Sequence, residues 1–205
     1  MELKQAIAEL RKLEKKKFDQ SVDLIVNLKG IDLRKESINV VASIPHKIKD
    51  KKVAAFLTKR NDIIHTITEP DFAKFKDKKV LKNLVKSYDF FISVASLMPK
   101  VASTFGKVLG PTGKMPSPQL GIVVKEDADA IKAALLKIER SVKVRAKEPS
   151  IKVVIAKESM SDEQITENIL AVYNAVVNSL PTKKDNIRSA MIKLTMSKPI
   201  KVEIK

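Results

Sequence analysis

An α/β fold is what this sequence predicts, and two changes of pattern along the chain predict it. Runs with every second residue apolar, the mark of strands covered on one face, occur before residue 50 and return after Pro149. Between them lie short, nearly continuous apolar runs alternating with helical stretches, as expected of strands covered on both faces. One economical arrangement is an α/β domain inserted into a sheet-plus-helix domain made from both chain ends. Two separate terminal subdomains would produce the same string.

Each element follows from its spacing. Leu3, Ile7, Leu10 and Leu13 recur at helical intervals within 2–16, with lysines opposite, which predicts an amphipathic surface helix. Val22, Leu24, Val26 and Leu28 alternate with Ser21, Asp23 and Asn27, a half-buried strand closed by Lys29-Gly30. Ile38, Val40, Ala42 and Ile44 repeat that period until Pro45. Val53–Leu57 and Tyr88–Ala95 read as covered strands. Over 126–140 a helix is predicted, with Asp127 and Asp129 in its first turn and Ile131, Leu135 and Ile138 as its stripe. Lys137 and Arg140 near its end complement the helix dipole. Ile151, Val153 and Ile155 alternate again. Ser161-Asp-Glu-Gln164 looks like a capping box for a helix whose stripe is Ile165, Ile169, Val172 and Val176. Two alternating runs, 190–196 and 200–204, finish the chain. Strict alternation places Met196 on the core face with Ile192 and Leu194, and Thr195 on the other face with Lys193.

Composition narrows the function. Forty Lys+Arg against 24 Asp+Glu give a formal net charge of +16 over 205 residues, which favours an anionic partner. Residues 1–49, 50–140 and 141–205 carry +4, +7 and +5, so the excess is not confined to a basic tail. Taken singly, the runs Lys15-Lys16-Lys17, Lys51-Lys52 and Lys78-Lys79 read as solvated faces. The absence of cysteine excludes disulfides, thiolate metal sites and thiol catalysis. With His46 and His65 the only histidines, no metal or cofactor is expected, and His46 reads as a turn residue. No apolar run approaches the ~18–20 residues that span a bilayer, and the start lacks a signal peptide's apolar stretch. A soluble cytoplasmic protein without a membrane partner is expected.

Four of the five glycines, Gly106, Gly110, Gly113 and Gly121, fall within one short window with Pro111, Pro116 and Pro118. That density predicts a rigid irregular loop over 105–118, with exposed backbone N–H groups beside Lys107 and Lys114. A Walker loop fails on spacing: Val108 stands where its first glycine belongs, and Met115 follows the lysine. The G-x-G-x-x-G pattern fails as well. A rigid turn with no partner is the plain alternative.

The run Gly106-Lys-Val-Leu-Gly-Pro-Thr-Gly-Lys-Met-Pro-Ser-Pro118 resembles the signature of the ribosomal protein L-one family. Lys17-Phe18-Asp19, Ser21-Val22, Ile31-Asp32, Ile44-Pro45-His46, Arg188-Ser189 and Leu194-Thr195-Met196 follow in that family's order, so the resemblance spans nearly the whole chain. The lysine-rich, cysteine-free character is more similar to its archaeal branch. The resemblance implies a split α+β domain, 1–49 plus 141–205, carrying an open, Rossmann-like α/β domain at 50–140 on a two-strand hinge. It implies a non-enzymatic protein of the large ribosomal subunit. Its partners would be the rRNA of the mobile lateral stalk, its own mRNA, which it would repress, and deacylated tRNA transiently. A monomer is expected when free. An RNA-binding regulator acting off the ribosome shares every one of these residues.

Residue by residue, the resemblance assigns RNA binding to Lys17, Phe18, Ser189, Thr195, Met196 and Ser197, with Arg145 aligned after the inserted domain. Lys107, Gly110, Gly113 and Lys114 form a secondary loop. The chemistry suits RNA: lysine neutralises phosphate, hydroxyls meet the ribose 2′-hydroxyl, and Phe18 and Met196 shield those bonds from water. Phe18 could equally staple the first helix to the sheet. Thr112 replaces the loop's usual arginine, Gln119 replaces a basic residue, and Ser197 replaces a glycine. If that glycine has positive φ, Ser197 costs about 1 kcal/mol or more, or the local path differs.

Overall fold

The computed structural model describes residues 1–13, 16–31, 38–124, 126–146 and 148–204. Lys15 and Asp32 lie outside them, as does the side chain of Lys78. The chain divides into two compact units, Met1–Ile48 with Arg140–Lys205, and Lys49–Glu139.

In the first unit, strands β1 (Ser21–Leu28), β8 (Ser150–Lys157), β9 (Ile187–Leu194) and β10 (Ile200–Val202) form an antiparallel sheet in the order β10-β9-β1-β8. Val22, Leu24, Val26 and Leu28 are buried, and the register sets Leu24 opposite Ile192 and Val26 opposite Ala190. Helices α1 (Leu3–Arg11) and α5 (Asp162–Ser179) cover that face with Leu3, Ile7, Leu10, Ile165, Ile169, Val172 and Val176. Each large side chain so buried contributes roughly 1.5–3 kcal/mol before entropy is counted. The capping box forms, with Ser161 Oγ accepting from Gln164 N–H and Gln164 Oε1 accepting from Ser161 N–H. Strands β2 (Ile38–Ser43) and β7 (Ser141–Ala146) pair as a separate antiparallel ribbon against α5.

The second unit is a parallel sheet, β4-β3-β5-β6, from β3 (Val53–Phe56), β4 (His65–Ile67), β5 (Phe90–Val94) and β6 (Ile122–Val123). Helices α2 (Lys78–Ser87) and α3 (Met98–Thr112) pack on a core of phenylalanines. Phe56 and Phe105 sit 4.9 Å apart by ring centroid, and Phe72 meets Phe105 edge-on at 5.0 Å. Helix α4 (Ala128–Glu139) buries Ile131 and Ile138.

The irregular loop predicted over 105–118 is corrected over 105–112, while 113–118 is irregular as expected. Helix α3 runs through Gly106, Gly110 and Pro111 and ends at Thr112, because Val101, Phe105 and Leu109 are fully buried along one face. That burial outweighs the low helix propensity of glycine and proline. Gly113, at φ 72°, ends the helix: its N–H donates to Gly110 O, and Lys114 N–H donates to Leu109 O. This is a Schellman cap, which only glycine adopts without strain.

Candidate nucleic-acid interface

The turn after β9 organises the site. Thr195 N–H donates to Ser21 O at 3.1 Å, and Ser21 N–H donates to Thr195 Oγ1 at 3.1 Å. Met196 N–H donates to Oε1 of buried Gln20 at 3.2 Å. Ser197 Oγ accepts from Leu194 N–H at 2.8 Å, while Ser197 N–H donates to Leu194 O at 3.0 Å. The turn is therefore closed on itself and tied to residues 20 and 21, which follow Lys17 and Phe18 in the chain. Asp19 steadies that approach by accepting from Ser159 N–H and Oγ, both at 3.1 Å.

Lys17, Phe18, Thr195, Met196 and Ser197 thus gather at one end of the sheet. Phe18 is 53% exposed and Met196 69% exposed. Two expectations are corrected here. Strand β9 stops at Leu194, so alternation no longer applies and Met196 points outward. Phe18 lies outside the core cluster and does not staple α1. Ser197 also needs no positive φ, because its hydroxyl closes the turn. A groove of about 490 Å³ opens beside it, lined by Leu13, Lys16, Gln20, Met196, Ser197 and Lys198 among others.

Ser189 and Arg145 are elsewhere. Ser189 stands six residues before Thr195 on β9, about 20 Å along the strand. Its Oγ accepts from Asn27 Nδ2 at 3.0 Å. Arg145 is exposed on the β2–β7 ribbon, opposite Asn39. Between Thr195 and Ser189 the sheet face carries Asp23 paired with Lys193 and Ile25 paired with Met191. Burial pushes the Asp23 carboxyl up, against the opposing pull of Lys193. On β7, burial and then Arg145 push the Lys143 ammonium down.

The secondary residues divide. Lys107 and Gly110 are exposed on α3, and a Cβ at Gly110 would meet nothing within 4 Å. Gly113 caps the helix. Lys114 Nζ donates to Val85 O and Tyr88 O, both at 2.7 Å, and so ties the end of α2 to the end of α3. At the switch point of the parallel sheet, Glu126 accepts from Thr58 N–H at 2.6 Å and from its hydroxyl.

Sequence reasoning missed Gln20, Asn27 and Asn168. Asn168 is fully buried, donating to His46 O and Ile155 O and accepting from His46 N–H. His46 Nε2 meets Glu167 Oε2 at 2.7 Å. Only helical phase could have flagged Asn168, since it lies beside Ile169 and Val172 on the stripe of α5. Among the described residues, no helix is long and apolar enough to cross a membrane, and no His/Cys/Asp/Glu group could hold a metal ion.

A basic α/β chain with cations, hydroxyls and exposed apolar groups at one sheet end is of the class that meets polyanions. Comparison with known proteins sharpens this. The chain belongs to the Ribosomal protein L1p/L10e family, whose pattern matches residues 10–198. It is similar to the large ribosomal subunit protein uL1 of Pyrobaculum calidifontis, 36% identical over 212 residues, covering 98% of this chain and 92% of the relative. The uL1 of Pyrococcus horikoshii is 36% identical over 199 residues, covering 91% of this chain and 88% of that one. For the uL1 of Methanocaldococcus jannaschii the identity is 35% over 213 residues, with coverage of 98% and 94%.

Proposed function

We propose that this protein is a structural, non-enzymatic component of the large ribosomal subunit in the cytoplasm, bound to rRNA of the mobile lateral stalk. On this reading the end of the sheet at Lys17, Phe18, Thr195, Met196 and Ser197 is the primary RNA contact. Ser189 extends that contact along β9, and Arg145 adds a cation from the ribbon. The 1–49 plus 141–205 domain holds the RNA, while the 50–140 domain moves on a two-strand hinge. The same surface would bind a mimic of the stalk in the protein's own mRNA and repress its translation. Deacylated tRNA would be a transient partner.

One observation carries the reading. Two exposed apolar side chains, Phe18 and Met196, stand on two segments that the Thr195–Ser21 and Met196–Gln20 hydrogen bonds tie together, with the Thr195 hydroxyl in that tie. Such an arrangement reads RNA shape: the hydroxyl meets a 2′-hydroxyl, and the apolar pair excludes water around it. Thr195 Oγ1 accepts from Ser21 N–H at 3.1 Å and donates to Ser21 O over a long 3.4 Å, a contact that an RNA acceptor would displace. Thr195→Val should weaken binding to a stalk RNA fragment by ~1–3 kcal/mol, and Thr195→Ser should restore most of it. Unchanged affinity in a folded Thr195→Val protein removes Thr195 from the contact.

A further inference from the structure

Several cations of the second unit are engaged at close range. Lys49 faces Asp89 at 3.4 Å, Lys74 pairs with Asp71 at 2.8 Å, Lys100 pairs with Glu69, and Lys114 holds two carbonyls. Helix α2 departs from this. Lys79, Lys82 and Lys86, spaced i, i+3 and i+7, are exposed on one face, and none meets a carboxylate among the described residues. The helix, KKVLKNLVKS, contains no acidic residue. Lys79 stands in its first turn, where the helix dipole disfavours a cation. This placement works against the helix, and the Asp77 carboxylate at its N-cap, which accepts from Lys79 N–H at 2.9 Å, offsets part of the cost.

At the other end of α2 stands an aromatic pair. Tyr88, two residues after Lys86, stacks on His65 with centroids 5.2 Å apart and ring planes within 25°. His65 is exposed and Tyr88 half-buried. Phe91 supports the Tyr88 ring at 6.1 Å, and Lys114 fixes its carbonyl. A row of free cations leading to a planar stacked pair is how proteins take unpaired RNA: ammoniums follow the phosphates and a base extends the stack.

We propose that the Lys79–Lys82–Lys86 face of α2 and the His65–Tyr88 pair form a second RNA contact on the inserted unit, for an unpaired stretch of RNA. The choice of RNA over another polyanion rests on the RNA-binding reading above. Tyrosine fluorescence tests it directly, because the chain has two tyrosines and no tryptophan, and Tyr173 is buried. The whole protein is titrated with a twelve-nucleotide oligoadenylate RNA at several salt concentrations, with circular dichroism as the fold check. Quenching is expected, and Tyr88→Phe assigns it to Tyr88. Lys79→Gln/Lys82→Gln/Lys86→Gln should lose about tenfold in affinity. Its plot of log K against log salt should be shallower by about 2, from three contacts at ~0.7 each. His65→Ala should reduce the quench. Wild-type affinity and slope in the triple variant overturn the proposal, as does polyglutamate binding as tightly as the RNA. Stalk-fragment binding measured on the same proteins separates the two readings. A wild-type protein with no preference for the stalk fragment sinks the primary interface, while the oligoadenylate result still decides this one.

Discussion

Replacing Lys114 with methionine isolates what the signature lysine does. The change keeps the aliphatic stem and removes the ammonium that donates to Val85 O and Tyr88 O at 2.7 Å each. A hydrogen bond involving a charged group contributes ~1.5–3 kcal/mol when water is excluded, but this site is half-buried and water can replace the donor. The two bonds together should therefore be worth about 1–3 kcal/mol. With a urea m-value of about 1–1.5 kcal/mol/M for a unit of this size, the midpoint of its unfolding should fall by ~0.7–3 M. Far-UV circular dichroism against urea reads that shift. Affinity for a stalk RNA fragment at a urea-free, folded condition should stay within about twofold. An unchanged midpoint with weakened RNA binding would refute the reasoning and make Lys114 a ligand of RNA.

Other expectations follow from single contacts. Asn168→Ala strands His46 N–H, His46 O and Ile155 O without their side-chain partner, and should cost about 3–5 kcal/mol, read as a lowered Tm. Gly121→Ala adds a Cβ 2.7 Å from Phe91 O at a residue with φ of 108°, and should destabilise by roughly 2 kcal/mol or more in urea unfolding. Hydrogen bonds from Lys74 and Thr68 hold the Asp71 carboxyl well below its ordinary value of 3.8. Folding therefore opposes protonation of Asp71, and its contribution is complete above pH 3.8 and lost as pH falls below it. Asp71→Asn should lower stability at pH 7, with the gap from wild type closing as acid unfolding is followed downward.

Regular elements were legible where one residue type repeats with the element's own period. Ser21–Leu28 shows strict alternation, and α5 combines a capping box with a clean stripe. Helix α3 was not legible, because Gly106, Gly110 and Pro111 mimic loop chemistry locally. What decides it is distant: Phe105 and Leu109 reach the phenylalanine core built on Phe56 and Phe91. The bounds of helix α2, among the helical stretches between the covered strands, and the strand β4 are not legible, because lysines crowd one and the other is three residues long. At the interface, residue types pointed to Lys17 and Thr195 only through family resemblance. The outward turn of Met196 could not be read, because it depends on Gln20, which lies 176 positions away in sequence. The internal use of Lys114 escaped for the same reason, since the carbonyls it binds belong to another helix end.

The most direct measurement is binding of the whole protein to a large-subunit stalk RNA fragment and to a structured RNA of equal length, at low and physiological salt. The account predicts that both bind at low salt, because a charge of +16 attracts any polyanion. It also predicts that the stalk fragment alone is held at physiological salt. Equal binding of both RNAs, vanishing together as salt rises, would contradict it.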